Sequence, residues 1–409
     1  MKKIFALLLA LTLAASAAGC AETDPPVTSP NATSSTTQPT TAPTEPAVNY
    51  SVSAEEALAQ RDTVIATAGD ATLTNGVLQV YYWTAVYGFL NENGSYIYYY
   101  GLDPSQPLEQ QTFYDGEGTW QEYFLEEALA IWHRYQALAM MNDEAELEMD
   151  PEMQAELDET ATLLAQSAED AGFDSAEAFL VDKMGPGCTL EDYLHYTDLF
   201  YRSYNYYQYM YEQIQITDAD IEAYFTENEE ALEKQGITKE TMNYGVRHIL
   251  ISPKGGTKSE DGKTTTYSEE EWEACRAEAQ QILDQWSAGE ATAESFAALA
   301  KEYSTDPGSK DNGGLYEGLD EDTSFVEPFK AWYLDESRQV GDTGLVKSDY
   351  GYHIMYMDSA KTIWMDRVRE ILEYNESTAF INAALEKYEM TTDYDKIALG
   401  VVDLSAEES

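Results

Sequence analysis

The chain has 409 residues, with 75 Asp and Glu against 23 Lys and Arg, a formal net charge of −52. Nucleic-acid binding neutralises phosphates with clustered basic side chains, so DNA and RNA are excluded as partners. Unassisted docking on an anionic lipid surface is disfavoured for the same reason. With 44% apolar and 12% aromatic residues, the chain can build real cores. Its length suggests about two to three domains. Tyr, at 31 residues, outnumbers Phe and Trp together; it joins a flat apolar body to a polar tip and suits contact surfaces as well as cores.

Residues 1–19 are a targeting segment. Lys2 and Lys3 precede an apolar run at 4–13, too short to span a bilayer. The small residues Ser16-Ala17-Ala18-Gly19-Cys20 follow and resemble a bacterial lipobox, with Ala17 where Leu is usual. The resemblance implies cleavage before Cys20, a palmitate-bearing lipid on that residue, and a protein anchored at the extracytoplasmic face of the cell membrane. An ordinary secretory signal cut near Ala18 is the other reading. Residues 20–50, rich in Thr, Ser and Pro, bury nothing and read as a disordered tether. Cys188 and Cys275 fall in different predicted domains, so both are expected to be inert, buried and unpaired.

Residues 51–241 read as mainly helical. A strand and turn near Val64 lead to a helix from about Asn75, and helical periodicity returns at 123–141, 144–165, 176–181 and 190–213. Thr217 stands three residues before Asp220, the spacing of a capping box, with Ile221, Tyr224 and Phe225 following at helical intervals. This segment holds 38 acids against 6 bases, an acidity expected to keep a tethered protein soluble and to favour basic or cation-assisted partners. The tyrosine runs at 96–100 and 193–211 supply core positions. Those beyond one helix face, Tyr206, Tyr207, Tyr209 and Tyr211, either complete that core or line a cradle.

Residues 242–360 change pattern to a small α+β domain. A strand at 244–252 is followed by a Gly, Ser, Thr and Lys-rich loop at 253–267. Trp272, Cys275, Ala279, Ile282 and Trp286 trace one helical stripe, and Phe296, Leu299, Ala300 and Tyr303 a second. A glycine-studded loop at 306–319 leads to a short helix at 325–334 and two strands at 344–347 and 352–357, giving the order β-α-α-α-β-β. Residues 361–409 read as a long helix, about 364–388, that packs on the helical segment, and an acidic tail.

Two of the four histidines lie on the first and last strands of this domain, where adjacent strands would aim both into one face. His133 and His195 sit in helical stretches without a motif and read as structural or surface residues. The runs Val246-Arg-His-Ile-Leu-Ile, Tyr303-Ser-Thr-Asp-Pro-Gly-Ser-Lys-Asp-Asn-Gly-Gly-Leu, Phe325-Val-Glu-Pro-Phe and Asp349-Tyr-Gly-Tyr-His-Ile resemble, in order and spacing, the parvulin peptidyl-prolyl isomerase signature. With the lipobox, the helical segment and the closing helix, the whole is similar to extracytoplasmic foldases of the PrsA type. In that family the flanking helices form one chaperone module.

The resemblance implies the residue roles. Rotation about an X-Pro amide crosses a barrier of roughly 18–20 kcal/mol, and the chemistry requires no metal, cofactor or covalent step. His248 and His353 match the paired histidines of the family site, and Asp306 the position beside the reacting amide. Leu315, Phe325 and Phe329 form the proline slot, and Tyr350 takes a position held elsewhere by Ser or Thr. The glycine loop lacks the Asp that many members carry before the Leu. Lys254, Lys258 and Lys263 are spread along a loop beside Glu260 and Asp261, so selection for phosphorylated substrates is not expected.

Plainer readings exist for each residue. A lone strand histidine is usually structural, Asp306 before Pro307 fits a turn, and Phe325 and Phe329 fit a core staple. Implied partners are unfolded or newly exported proteins with X-Pro bonds and, through Cys20, the membrane; the sequence is compatible with a monomer or a dimer. Two other functions fit the same features: a holdase whose isomerase domain turns over little, and a surface lipoprotein that captures peptides.

Overall fold

The computed structural model of the protein describes residues 48–259 and 265–404. Cys20, most of the tether and the last five residues lie outside them. The chain forms two compact units, one from the chain up to Ile214 together with the chain from Asn375, the other Gln215–Tyr374.

The first unit begins with β1 (Ser51–Val52), α1 (Ala54–Gln60) and the hairpin strands β2 (Val64–Ala68) and β3 (Ala71–Thr74). Five helices follow: α2 (Asn75–Asn93), α3 (Trp120–Glu144), α4 (Pro151–Asp170), α5 (Ala176–Met184) and α6 (Leu190–Glu212). Their starts are written in the sequence. The Thr74 hydroxyl accepts the Val77 N–H, and Thr119 with Glu122 and Thr189 with Asp192 form capping boxes, each satisfying backbone donors that the first turn leaves free. The expected helix at 144–165 is corrected. α3 ends at Glu144, and α4 starts at Pro151. Asp150 Oδ1 accepts the Glu152 N–H at 2.8 Å, and proline is at home in the first turn, where its missing N–H is not needed.

The core of this unit is aromatic, with Tyr81, Trp120, Trp132, Tyr193 and Tyr196 wholly enclosed. In α6 the tyrosines divide by helix face: Tyr193, Tyr196 and Tyr201 are buried, while Tyr209 and Tyr211 are exposed. Tyr206 packs beside Ala137, Leu138 and Ala384. His133 is structural, its Nε2 lying 2.7 Å from the Tyr388 carbonyl. Both cysteines are buried and free.

The second unit contains α7 (Asp218–Lys234), β4 (Met242–Ile251), a small ribbon of β5 (Thr257–Lys258) and β6 (Thr265–Thr266), α8 (Glu269–Ala288) and α9 (Ala293–Tyr303). It continues through β7 (Leu315–Leu319), α10 (Glu327–Tyr333), β8 (Thr343–Ser348), β9 (Gly351–Thr362) and the start of α11 (Trp364–Lys387). The class is α+β, as expected. The strands form one antiparallel sheet in the order β7-β4-β9-β8, so the first and last strands are neighbours. β7 is an addition to the expected order: it lies in the stretch read as loop, and its pairing with the edge of β4 defines it. One sheet face packs Ile249, Ile251 and Ile354 against Cys275, Ala279 and Phe296 of α8 and α9. The other packs Val246, Met355 and Met357 against Phe329, Trp332 and Tyr333 of α10.

Two boundaries differ from the reading of the sequence. α7 belongs with the sheet unit, because Ile221, Phe225 and Leu232 pack on Trp364 and Val368 of α11. The segment 361–409 is divided, its chain from Asn375 belonging to the first unit. There the stretch read as a tail folds: β10 (Met390–Thr392) pairs antiparallel with β2, and β11 (Leu399–Gly400) pairs parallel with β1. Buried Ile397, Ala398 and Leu399 hold it, and the Asn75 side chain bonds the backbones of Lys396 and Ala398. Strands of two or three residues carry too little periodicity to be read from sequence.

Candidate active site

The pairing of β4 with β9 sets His248 opposite Met355 and His353 opposite Leu250. Residues two apart on a strand share a face, so the two histidines are diagonal neighbours on the face toward α10. Their Nδ1 atoms are 3.2 Å apart. Asp306, just after α9, is brought under them: its Oδ2 lies 3.0 Å from His248 Nε2.

Asp306 is held by more than the histidine. Its Oδ2 accepts from the Ser309 N–H (3.0 Å), the Ser309 hydroxyl (2.5 Å) and the Tyr316 hydroxyl (3.0 Å). These donors, the His248 bond first, hold the carboxyl well below the usual carboxylate range, because each favours the charged form. All of these bonds fall on Oδ2, leaving Oδ1 without a donor among the described residues. Ser348 closes the other end, 2.7 Å from His353 Nε2. Burial, reinforced by His248, pulls His353 down to about 4, since both disfavour the imidazolium.

An ionised Asp306 only accepts, so the His248 Nε2–H donates to it. Ser348, His353, His248 and Asp306 thus form one hydrogen-bonded row with a carboxylate at its end.

Beside this row lies an aromatic slot. Phe329, 1% exposed, meets both imidazoles edge to face, the favoured geometry for such rings. The ring centroid distances are 5.1 Å to His248 and 5.6 Å to His353. Phe325 stacks on Phe329 at 4.7 Å, and Tyr316 stands 4.9 Å from Phe325. The slot differs from expectation at one wall. Register pairs Tyr316 with Val246, on the histidine face, and Leu315 with Arg247, on the opposite one. Tyr316 therefore stands where Leu315 was expected. Gly314 makes that register attainable. Its φ is +76°, a region open to glycine at little cost. Its carbonyl accepts the His248 N–H at 2.8 Å, and a Cβ there would lie 2.2 Å from the His248 carbonyl oxygen.

Tyr350 is 64% exposed on the β8–β9 turn, and its backbone N–H donates to Ser348 Oγ. The hydroxyl at His353 comes from Ser348 instead. Thus His248, Asp306, His353, Phe325 and Phe329 converge, whereas Leu315 and Tyr350 do not join them. Ser309, Tyr316 and Ser348 were missed. Ser309 had a signal, a hydroxyl three residues after an Asp in a turn; the other two depend on strand register. No group of acids, histidines or cysteines among the described residues is arranged to hold a metal ion.

Residues 232–361 match the family described as the PPIC-type PPIase domain. Foldase protein PrsA 3 of Bacillus cereus is 38% identical over 85 residues, 20% of this chain and 29% of that protein. Foldase protein PrsA of Clostridium kluyveri is 26% identical over 193 residues, 45% of this chain and 47% of that one. The chain thus spans less than half the length of either relative. Among solved structures, PrsA from Bacillus subtilis is similar over 69% of this chain and 90% of its own, at 20% identity and a TM-score of 0.26. Residues 232–361 are a PPIC-type PPIase domain of the parvulin kind, and the chain that carries them is similar to the PrsA foldases over part of its length.

Proposed function

We propose that the protein is a peptidyl-prolyl cis–trans isomerase and chaperone for exported polypeptides, tethered by a lipid on Cys20 to the outer face of a bacterial membrane. The convergence of Asp306, His248 and His353 beside the Phe325–Phe329–Tyr316 slot carries this reading.

In the planar amide, resonance puts partial negative charge on the carbonyl oxygen and double-bond character in the C–N bond; twisting removes both. A slot that grips the proline ring fixes one end of the rotating bond. A carboxylate facing the carbonyl disfavours the planar form, with its more negative oxygen, relative to the twisted one. Asp306 supplies that charge through its unoccupied Oδ1. His248, Ser309 and Tyr316 hold it in place through Oδ2. Lys254 is paired to Glu278 at 2.7 Å, which supports the view that the loop after β4 does not select phosphorylated residues.

The test is the rate of X-Pro rotation in a short peptide, measured by NMR exchange with the full chain. Wild type should accelerate it, and a His248→Ala, Asp306→Ala double variant should not; equal rates would refute the isomerase assignment. Suppression of aggregation of an unfolded client should persist in the same variant if the helical unit is the chaperone. The anchor is tested by fractionating bacteria that express Cys20→Ser, which should leave the membrane fraction.

A further inference from the structure

The helical unit contains a cavity of about 310 Å³ between α2, α3 and α6, which neither the isomerase cleft nor the family match involves. Its walls include Tyr81, Phe89, Tyr123 and Tyr135, and Glu92, Glu127 and Arg134 stand at its rim. Three features of this cavity bear on what it holds.

The first is Tyr81. It lines the cavity, is 0% exposed, and its hydroxyl has no hydrogen-bond partner among the described residues. A buried hydroxyl without a partner is costly, and this one belongs to a residue of the cavity wall. The second is Gly88, inside α2 and on the cavity wall. Glycine weakens a helix interior relative to alanine. Gly76 of the same helix has a packing reason, since a Cβ there would meet the Asp192 carboxylate at 3.1 Å, but a Cβ on Gly88 would meet nothing within 4 Å. Its missing side chain leaves space. The third is an aromatic strip leading outward. Phe89 of the wall contacts Tyr100 at 6.0 Å, and Tyr100 contacts Tyr99 and Tyr114, which are 87% and 65% exposed.

We infer that this cavity binds one bulky apolar side chain of an extended polypeptide whose neighbouring residues are basic and lie along the Tyr99–Tyr100–Tyr114 strip. The strip gives the site length, which suits a chain segment rather than a compact small molecule. Charge selects the flanks: two carboxylates face one guanidinium at the rim, in a segment with 38 acids against 6 bases. That the occupant is a polypeptide client rests on the foldase reading; the cavity does not.

The experiment uses the full chain and a short, unstructured, fluorescein-labelled peptide with one Phe between lysines in a Gly/Ser background. It contains no proline, so the isomerase slot is not its target. Fluorescence anisotropy should show binding that weakens with salt and is lost when Phe is replaced by Ser. Gly88→Leu fills the cavity and should weaken binding about tenfold or more, the worth of burying one large apolar side chain. Its thermal midpoint should be equal or higher and its X-Pro rotation rate unchanged. Glu92→Gln with Glu127→Gln, both at exposed positions, should weaken binding and flatten the salt dependence. Phe and Ser peptides that bind alike, or affinity unchanged in both variants, overturn the inference. Loss of isomerase activity with these binding results intact would sink the enzymatic reading and leave the cavity assignment standing.

Discussion

The burial of His353 makes acid pH a direct probe of the site. His353 is 5% exposed and held neutral down to about 4, whereas an unfolded histidine takes its proton near about 6.5. The sign follows from linkage: because the folded state binds the proton less readily, stability is undiminished above the unfolded value and falls as pH drops toward the folded one. The slope in that window is about 1.4 kcal/mol per pH unit, so the isomerase unit should lose about 3 kcal/mol between pH 6.5 and 4. Asp306 acts below this window. Its carboxyl is depressed, so it contributes stability that is complete above the ordinary carboxylate value and declines only beneath it. The assay is NMR of histidine ring resonances in the full chain, titrated with acid and, at each pH, with urea. The His353 resonance should stay unchanged to about pH 5, and its urea midpoint should fall with pH from about 6.5 downward. His353→Gln, which cannot titrate, should abolish that slope whatever it does to absolute stability. A His353 resonance that titrates near the unfolded value, with a midpoint independent of pH, would refute a neutral His353.

Other outcomes follow from the same geometry. Gly314→Ala places a side chain at positive φ against the His248 carbonyl. Strain alone should cost about 1–3 kcal/mol, seen in urea melts of the sheet unit, and isomerase activity should fall with it. Phe329→Ala removes a wholly buried ring and should cost about 3–5 kcal/mol, while Phe329→Leu should keep the fold and lower kcat/KM. Tyr316→Phe deletes one donor to Asp306 but keeps the slot wall. The Asp306 carboxyl should then rise toward its usual range, read by carboxylate NMR, with a fall in kcat/KM smaller than that of Asp306→Ala.

Much of the site was legible because its motifs are local. The Asp306 turn and the Phe325–Phe329 spacing each lie within a few residues, and the two histidines stand on strands strong enough to read from composition. The miss at Leu315 shows the limit of such reading. Leu315 and Tyr316 are adjacent and both apolar enough for a slot wall, and only the pairing with Arg247 or Val246 sends one to each face. A shift of one residue reverses every side chain on a strand. Tyr350 and Ser348 illustrate the same point, since the hydroxyl that reaches His353 belongs to the residue whose side of β8 faces the core.

Composition, the Thr-initiated capping boxes and the apolar stripes of α8 and α9 determined the helices, the α+β class of the sheet unit and the imbalance of charge. Those signals are carried by neighbours in the chain, where dihedral preference and side-chain spacing act directly. The tertiary structure decided what depends on distant partners. It placed β7 on the edge of β4, assigned α7 to the sheet unit through Trp364, and folded the presumed tail into strands beside β1 and β2. It also left open the aromatic cavity around Gly88. These outcomes turn on which surfaces bury one another, a choice made between segments far apart in the chain and written in no single one of them.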